Sequence, residues 1–506
     1  MTTSLRGSDR RELTRLIGRV RKHFDVPGLA VAMVEAGRVV LARGYGVRGI
    51  DDPRPVDGDT IFPIASNTKA FTAAVLATLV DEGALGWDDP VVNHLPSFQM
   101  WDPWVTREIT VRDLLVHRSG LGLGAGDLMW FPKTDFTAAQ LVAGLRWLKP
   151  KTSFRGAYAY DNVLYEVAAQ LIAAVSGRSW SDLVGERILR PAGMAHAVLG
   201  ESAFFAAPNR ASPHGKISGD ERGAGPLSVL ATTNVGDLFV AAGGISASAG
   251  DLTRWLLAQL GEGAIPGGPR LFSAEQSREM WTPQTLIPPT LRLGAAGWPA
   301  PSFRAYALGW EVALIDGETI IRHGGYVHGF MSYTVLVPRL STGMVILTNA
   351  EQGYAISAIA LTLLDRCFGR PPTDQLACLV AAREKDVAEV RRAAPELARD
   401  PLAKPALPLA AYAGVYRDPW YGTITITEAQ GALTIRFDRT PGMEGPLEPW
   451  LHETFRTRWR LREIEDAYVT FALTAEGAIR DVTLRAVSPL ADFSFDYQDL
   501  LFTPGP

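Results

Sequence analysis

Phe62-Pro-Ile-Ala-Ser66-Asn67-Thr68-Lys69-Ala-Phe-Thr72 opens a long apolar run that stops at Gly83, the pattern of a buried helix with a glycine cap. Ser66 and Lys69 stand at its start in S-x-x-K spacing. Positions i and i+3 share a helix face, so the Ser66 hydroxyl and the Lys69 amine can meet. The first turn carries unpaired N–H groups and positive potential, which favour an alkoxide at Ser66 and lower the Lys69 pKa. Burial acts on Lys69 in the same direction. A neutral lysine can then take the serine proton and leave a nucleophile. S-x-x-K also recurs by chance, with the serine a plain N-cap and the lysine solvated.

Upstream, Leu13, Leu16, Ile17 and Val20 repeat at helical spacing from about Arg11 to Phe24. Leu29 to Val34 and Val39 to Ala42 flank Glu35-Ala-Gly-Arg38 and read as a β-hairpin. From about Thr110 to Leu260 the pattern is mostly helical, broken by Gly-rich loops such as Gly120 to Gly126. Strand patterns return at Leu308 to Leu314, Thr319 to Arg322, Phe330 to Val337 and Gly343 to Thr348. If these join the first hairpin, one sheet closes around a helical insertion, an α/β core. Two further elements fit that core. Tyr158-Ala-Tyr160-Asp161-Asn162 gives Y-x-N in a polar loop ahead of a helix from Val163 to Val175. Tyr160 is a candidate second proton carrier, and Asn162 a candidate amide partner for substrate. Ile320-Ile-Arg-His323-Gly324-Gly325-Tyr326 ends a strand with two glycines, which would let a substrate backbone approach.

Competing motifs fail on context. Gly44-Tyr-Gly46-Val-Arg-Gly49 matches G-x-G-x-x-G, but Ile50-Asp-Asp-Pro-Arg-Pro follows it, and the dinucleotide fingerprint needs a helix there. No serine stands in G-x-S-x-G, and H-E-x-x-H is missing. The net charge of −4 argues against a nucleic-acid binder, which needs a basic face. With 47% hydrophobic residues, 49 glycines and 34 prolines in 506 residues, the composition is globular. Cys367 and Cys378 make neither a disulfide framework nor a zinc pattern and read as two buried thiols. No metal site or cofactor is expected. Apolar runs such as Phe71 to Val80 are too short to span a bilayer. The N-terminus lacks a signal-peptide core, so the literal reading is cytoplasmic, or periplasmic if a leader has been removed.

From Ala381 to Asp400 the chain is charged and Ala-rich, and Pro401 to Pro408 follows as a linker by composition. Beyond it, Thr423 to Thr427, Ala432 to Phe437, Tyr468 to Leu473, Asp481 to Ala486 and Phe493 to Tyr497 read as short strands of a small antiparallel barrel. Three units are expected: residues 1–368, a helical and Pro-rich linker 369–406, and the barrel 407–506. The barrel carries no nucleophile–base pair. It is expected to pack separately and to serve access or assembly, with homo-oligomerisation through it left open.

The combination of Ser66-x-x-Lys69, Tyr160-x-Asn162 and His323-Gly324-Gly325 resembles the serine β-lactamase and penicillin-recognising hydrolases, on the branch of class C β-lactamases, D-amino-acid peptidases and carboxylesterases. Leu79 to Leu85, Thr110 to Gly120 and Ala241 to Ser246 carry the resemblance further. It implies an antiparallel sheet flanked by helices, a helical subdomain, and a lipocalin-like C-terminal barrel. It implies Ser66 as the acylated nucleophile, Lys69 as its activator and Tyr160 as the acid/base tyrosine. Asn162 is then the substrate-facing amide, and the Ser66 and Tyr326 N–H groups form the oxyanion hole. His323-Gly324-Gly325 replaces Lys-Thr-Gly, and a neutral histidine beside a glycine offers a β-lactam carboxylate little. The expected function is therefore acyl-enzyme hydrolysis of short peptides, D- or non-standard residues included, or of small esters. A penicillin-binding-type protein that does not turn over, or a sensor, is the alternative, and a β-lactamase the weaker one.

Overall fold

The computed structural model describes residues 7–218, 222–288, 298–393, 397–400, 402 and 404–505. Residues 1–6, read above for a leader, and Pro401 and Ala403 of the Pro-rich stretch lie outside the described residues.

The strand Gly28–Glu35 is buried along its whole length, as an unbroken apolar run requires. Leu29, Val31 and Met33 face one side, where they meet Ile17 and Val20 of the helix Gly7–His23 and Ile359 and Leu363 of the helix Gly353–Cys367. Ala30, Ala32 and Val34 face the other, with Phe71, Trp255 and Leu256. Phe71 stacks on Trp255 with ring centroids 3.9 Å apart, which pins the helix Thr68–Asp81 to the helix Ala249–Leu260. Each such fully buried side chain is worth about 1.5–3 kcal/mol.

The first hairpin joins the late strands. Gly28–Glu35 pairs antiparallel with Thr342–Thr348, from Leu29 opposite Thr348 to Glu35 opposite Thr342. The sheet has eight strands in the order Arg38–Gly46, Gly28–Glu35, Thr342–Thr348, Phe330–Val337, Glu318–Val327, Glu311–Ile315, Phe303–Tyr306, Thr285–Leu286. It is antiparallel throughout and flanked by helices, with the helical insertion between its halves. The G-x-G-x-x-G stretch sits in the second strand and the turn after it, and no helix opens there. Phe303–Tyr306 and Thr285–Leu286 are additions to the strands read from the sequence. The strand expected to end at His323-Gly-Gly runs on to Val327. Past Arg322 it has lost its neighbour Glu311–Ile315 and, among the described residues, pairs as a strand only with Phe330–Val337.

The linker region is mostly the helix Gln375–Ala393, with only Gln375, Leu376 and Leu379 buried, which accounts for its missing apolar stripe. After it comes an eight-stranded antiparallel barrel ordered Ile479–Ala486, Ala467–Leu473, Thr454–Thr457, Glu444–Leu451, Ala432–Phe437, Gly422–Ala429, Gly414–Asp418, Thr503–Pro504. Val482 and Phe502 exchange backbone hydrogen bonds of 2.8 and 3.0 Å and nearly close it, which removes exposed strand edges. Ile424, Ile435, Phe455, Trp459 and Phe471 fill the interior.

Two expectations about this barrel are corrected. Phe493 to Tyr497 is not a strand but a turn leading into the short helix Tyr497–Asp499. Its alternating aromatics mimic a strand because Phe493 and Phe495 reach out of the barrel while Tyr497 stays inside, against Trp459. Nor does the barrel pack apart from the first unit. Phe131, Phe136, Tyr421 and Phe495 belong to one continuous core. Polar links, Lys151 to Asp499 at 2.7 Å and Arg439 to Asp135 at 3.1 Å, flank it.

Candidate active site

Ser66 occupies a single 3₁₀ turn, Ala65–Asn67, directly ahead of the helix Thr68–Asp81. Ala65 is left-handed at φ 49°, a conformation that costs a non-glycine residue about 1–3 kcal/mol. The neighbouring strands hold it. Ser332 donates to the Ile64 carbonyl at 2.6 Å and accepts from the Asn67 amide at 2.8 Å. The Ile64 N–H donates to Ile245 O at 2.9 Å. A Cβ on Gly325 would lie 2.4 Å from both Ile64 O and Ser332 Oγ. That glycine is therefore required by the serine turn. Gly324 faces the opposite side of the sheet, where a Cβ would meet nothing closer than Tyr333 at 3.9 Å.

Lys69 is completely buried. Its amine donates to Ser66 Oγ at 3.1 Å, to Asn162 Oδ1 at 2.7 Å and to the Ala242 carbonyl at 3.0 Å. It also lies over the rings of Tyr160 and Tyr165, 4.9 and 5.1 Å from their centres. Burial brings its pKa down to about 7, although Asp127, Glu166 and Asp161 pull the other way. The dominant cause is thus desolvation rather than the helix end.

Those three carboxyls have defined partners. Asp127 accepts from Asn162 Nδ2 at 2.8 Å and from Trp130 Nε1 at 2.9 Å. Burial raises it to about 7. Glu166 accepts from the Ala242 N–H at 2.8 Å and is raised to about 8, again by burial. Asp161, whose acidity inside Y-x-N has no explanation in the sequence, accepts from the Leu164 N–H at 3.3 Å in the first turn of the helix Val163–Ser176, one residue ahead of its N-cap Asn162. It too is raised to about 8 by burial.

Tyr160 is hydrogen-bonded to Ser66 through its hydroxyl, and burial holds its phenol well above the usual range. Its ring packs on His117 at 4.2 Å and on Phe493 of the barrel at 5.7 Å. His117 accepts the Asp161 N–H at Nδ1, 3.1 Å away, which puts its own proton on Nε2. Burial keeps it neutral. His323 is also neutral. Its Nδ1 contacts the Gly324 carbonyl at 2.6 Å and its Nε2 the Tyr306 hydroxyl at 2.7 Å, and burial drops its pKa to about 4.

The structure therefore brings Ser66, Lys69, Tyr160 and Asn162 into direct contact, with His323 one ring away, 6.2 Å from Tyr160. Gly325 backs the serine turn and Gly324 does not face it. The Tyr326 side chain points elsewhere, 3.4 Å from Glu351, so only its backbone can serve the site. Sequence reasoning missed Asp127, Glu166, His117, Ser332 and Phe493. Asp127 lies just past the Gly-rich loop and was indistinguishable from it, whereas Glu166, four residues after Asn162, carried a readable signal. Among the described residues no cluster of His, Cys, Asp and Glu could hold a metal ion, and no helix is long and apolar enough to cross a membrane.

Comparison with known proteins agrees with this geometry. The Beta-lactamase family model matches residues 13–365, and a domain of unknown function, DUF3471, matches 398–504. The chain is 28% identical over 460 residues to an unguisins hydrolase from Aspergillus violaceofuscus, covering 84% of this chain and 77% of that one. A penicillin-binding protein homologue from Pyrococcus abyssi, described as octameric, superposes with a TM-score of 0.61 at 21% identity, covering 98% and 99% of the two chains. A D-stereospecific amidohydrolase from Streptomyces sp. superposes with a TM-score of 0.54 at 25% identity, over 69% of this chain and 98% of the other. The match over residues 13–365, more than half of the chain, on this antiparallel sheet flanked by helices, establishes that the chain belongs to the Beta-lactamase family.

Proposed function

We propose that the protein is a serine hydrolase that forms an acyl-enzyme on Ser66 and acts on short peptides or small esters, without need of a metal ion. The observation that carries this reading is the Lys69 amine 3.1 Å from Ser66 Oγ, wholly buried and with a pKa near 7. Half of such lysines are neutral at neutral pH and able to accept the serine proton. Tyr160, a neutral phenol bonded to Ser66, then acts as relay rather than base. Ser66 Oγ attacks the substrate carbonyl as its proton passes to Lys69. The oxyanion is held by the Ser66 and Tyr326 N–H groups. Collapse breaks the bond to the leaving amine or alcohol, which takes the proton back through Tyr160. Water then adds to the acyl group by the same path and frees Ser66.

Amide substrates gain support from the structure named a D-stereospecific amidohydrolase, and hydrolysis more broadly from the relative named an unguisins hydrolase. Against a β-lactam stands His323, neutral and already engaged by Tyr306, where a cation would have to meet the carboxylate. The test is a panel of peptide amides, p-nitrophenyl esters and a chromogenic β-lactam, with mass mapping of the acyl adduct. Steady turnover of an amide or ester with the adduct on Ser66 is expected. Ser66→Ala should lose several orders of magnitude in rate with its fold intact. One product per enzyme and no further turnover would favour the penicillin-binding reading, and an adduct on another serine would reject the site.

A further inference from the structure

The catalytic lysine is tied to the barrel by a continuous chain of hydrogen bonds. Lys69 Nζ donates to Asn162 Oδ1 at 2.7 Å, and Asn162 Nδ2 donates to Asp127 Oδ2 at 2.8 Å. An amide has one acceptor and one donor end, so Asp127 fixes which end faces Lys69. Were Asn162 turned over, its NH₂ would meet the amine, which could accept only through the lone pair that the serine proton needs. Asp127 is itself held from two sides. Trp130 donates to Oδ1 at 2.9 Å, and Ser494 of the barrel is hydrogen-bonded to the carboxyl. One residue earlier, the Gly126 N–H donates to Asp496 Oδ2 of the barrel at 2.7 Å. Asp127, Ser494 and Asp496 are all buried. No helix end or sheet ladder places Asp127, since it lies in a short 3₁₀ turn, Asp127–Met129, entered through left-handed Gly126. Barrel contacts therefore supply much of what fixes it.

We propose that Asp127 is a positioning residue that orients Asn162 against Lys69, and that the C-terminal barrel holds Asp127 in place through Ser494 and Asp496. The barrel is then part of the apparatus that sets the Ser66–Lys69 pair, although the hydrogen-bond partners of Ser66 Oγ among the described residues, Lys69 and Tyr160, lie outside it. This inference rests on the serine-hydrolase reading above and extends it to a second domain. The charged and titratable groups facing Asp127 and its partners are Lys69, Tyr160, Asp161 and Asp496, with Asp492 against Ser494, Asp499 against Asp496 and, beyond Lys69, Glu166.

The full-length protein serves for the test, as wild type, Asp127→Ala, Asp127→Asn and Ser494→Ala. Each is assayed for p-nitrophenyl acetate turnover from pH 5 to pH 9 and for acylation of Ser66 by mass. Asp127→Ala should lower kcat about a hundredfold with KM within about twofold, because a mis-set base slows chemistry and leaves binding alone. Asp127→Asn keeps an acceptor for Asn162 and should recover most of the plateau rate. It also removes a negative charge that favours protonated Lys69, so its rising limb should move to lower pH. Ser494→Ala should lower kcat about fivefold at constant KM. A purely structural role would lower the amount of active protein and leave KM and the pH profile of the remainder unchanged. That result, or wild-type kcat in Asp127→Ala, overturns the proposal while a labelled wild-type Ser66 leaves the hydrolase reading standing. If wild-type Ser66 is never acylated, both fall. If Asp127→Ala does not fold, the Asp127→Asn limb and the Ser494→Ala kcat decide, and no change in either overturns the proposal.

Discussion

Phe493, a barrel residue, lies edge-on to Tyr160, with ring centroids 5.7 Å apart and planes at 76°. The ring that carries the relay hydroxyl is thus held on one side by His117 of the first unit and on the other by the second domain. An edge-to-face pair of this kind contributes about 0.5–1.5 kcal/mol beyond its buried area.

Phe493→Ala should therefore slow acylation by about two- to tenfold if that energy is spent on holding Tyr160. Phe493 is only part-buried, so the melting temperature should change little. Burst kinetics with a p-nitrophenyl ester, beside a thermal melt, measure both. An unchanged burst rate would show that Tyr160 is fixed without the barrel.

Ser332→Ala should damage the serine turn from a distance. It leaves the Ile64 carbonyl and the Asn67 amide without their shared partner. Ile64 O still accepts from the Asn67 N–H at 3.2 Å and from Asn67 Nδ2 at 3.4 Å, so the loss is that of two hydrogen bonds, about 1–3 kcal/mol in all. Since the turn carries left-handed Ala65, relaxation there should move Ser66 and cut kcat about a hundredfold. Denaturant melts and steady-state kinetics separate the two losses.

The acylation rate should rise with pH through about 7, the value to which burial brings Lys69 from its ordinary 10.5. The active form is the neutral amine, so activity is lost below this window as Lys69 gains its proton. Asp127 near 7 and Asp161 and Glu166 near 8 ionise over the same span, and each new negative charge favours protonated Lys69. The rise should consequently be shallower than a one-proton curve. A profile of ester acylation between about pH 5 and pH 9 checks this. A rate still climbing steeply at the top of that range, with no rise through 7, would mean that Lys69 is hydrated in solution.

Much of this was legible in the chain itself. The Ser66–Lys69 face follows from helical spacing, the sheet from apolar runs such as Leu29 to Val34, and the barrel from regular short strands. Local patterns could not show that Asp127 sits under Asn162, since its partners are 35 residues on and in another domain. Phe493 to Tyr497 deceived for a related reason. Alternation reports that successive side chains meet different surroundings, and a segment bridging two domains does that without a sheet partner. The paired glycines misled too, because sequence cannot say which of two neighbours faces a crowded backbone.

Gly325→Ala and Gly324→Ala should separate cleanly. At Gly325 the new methyl would fall 2.4 Å from Ile64 O and Ser332 Oγ, and the turn bearing Ser66 would have to shift. Overpacking of that kind costs about 1–3 kcal/mol, and activity should fall with it. At Gly324 the nearest atom is 3.9 Å away and stability should stay within about 0.5 kcal/mol. Melting temperature and ester turnover of the two variants give the comparison. Equal damage from both would mean that substrate, not Ile64, requires the glycines.

Lys69→Ala and Tyr160→Phe should each reduce acylation severely, and the double variant should lose far less than the two losses combined. Both side chains contact Ser66 Oγ, Lys69 at 3.1 Å and Tyr160 through its hydroxyl, and so serve one proton path. Once one is gone the other has little left to carry, which is the condition for strong non-additivity. Tyr160→Phe keeps the ring contacts with His117 and Phe493, so lost packing cannot account for a large effect. The two residues nonetheless predict different signatures. Without the Tyr160 hydroxyl, Lys69 remains a base and the rise through about pH 7 should persist at a lower plateau. Without Lys69, the partner left to Ser66 among the described residues is a phenol held well above its usual range, so that rise should vanish. Rates of Ser66 acylation for the four proteins across pH, followed by mass, test the cycle. Additive losses would place the two residues on separate steps, with Tyr160 protonating the leaving group alone.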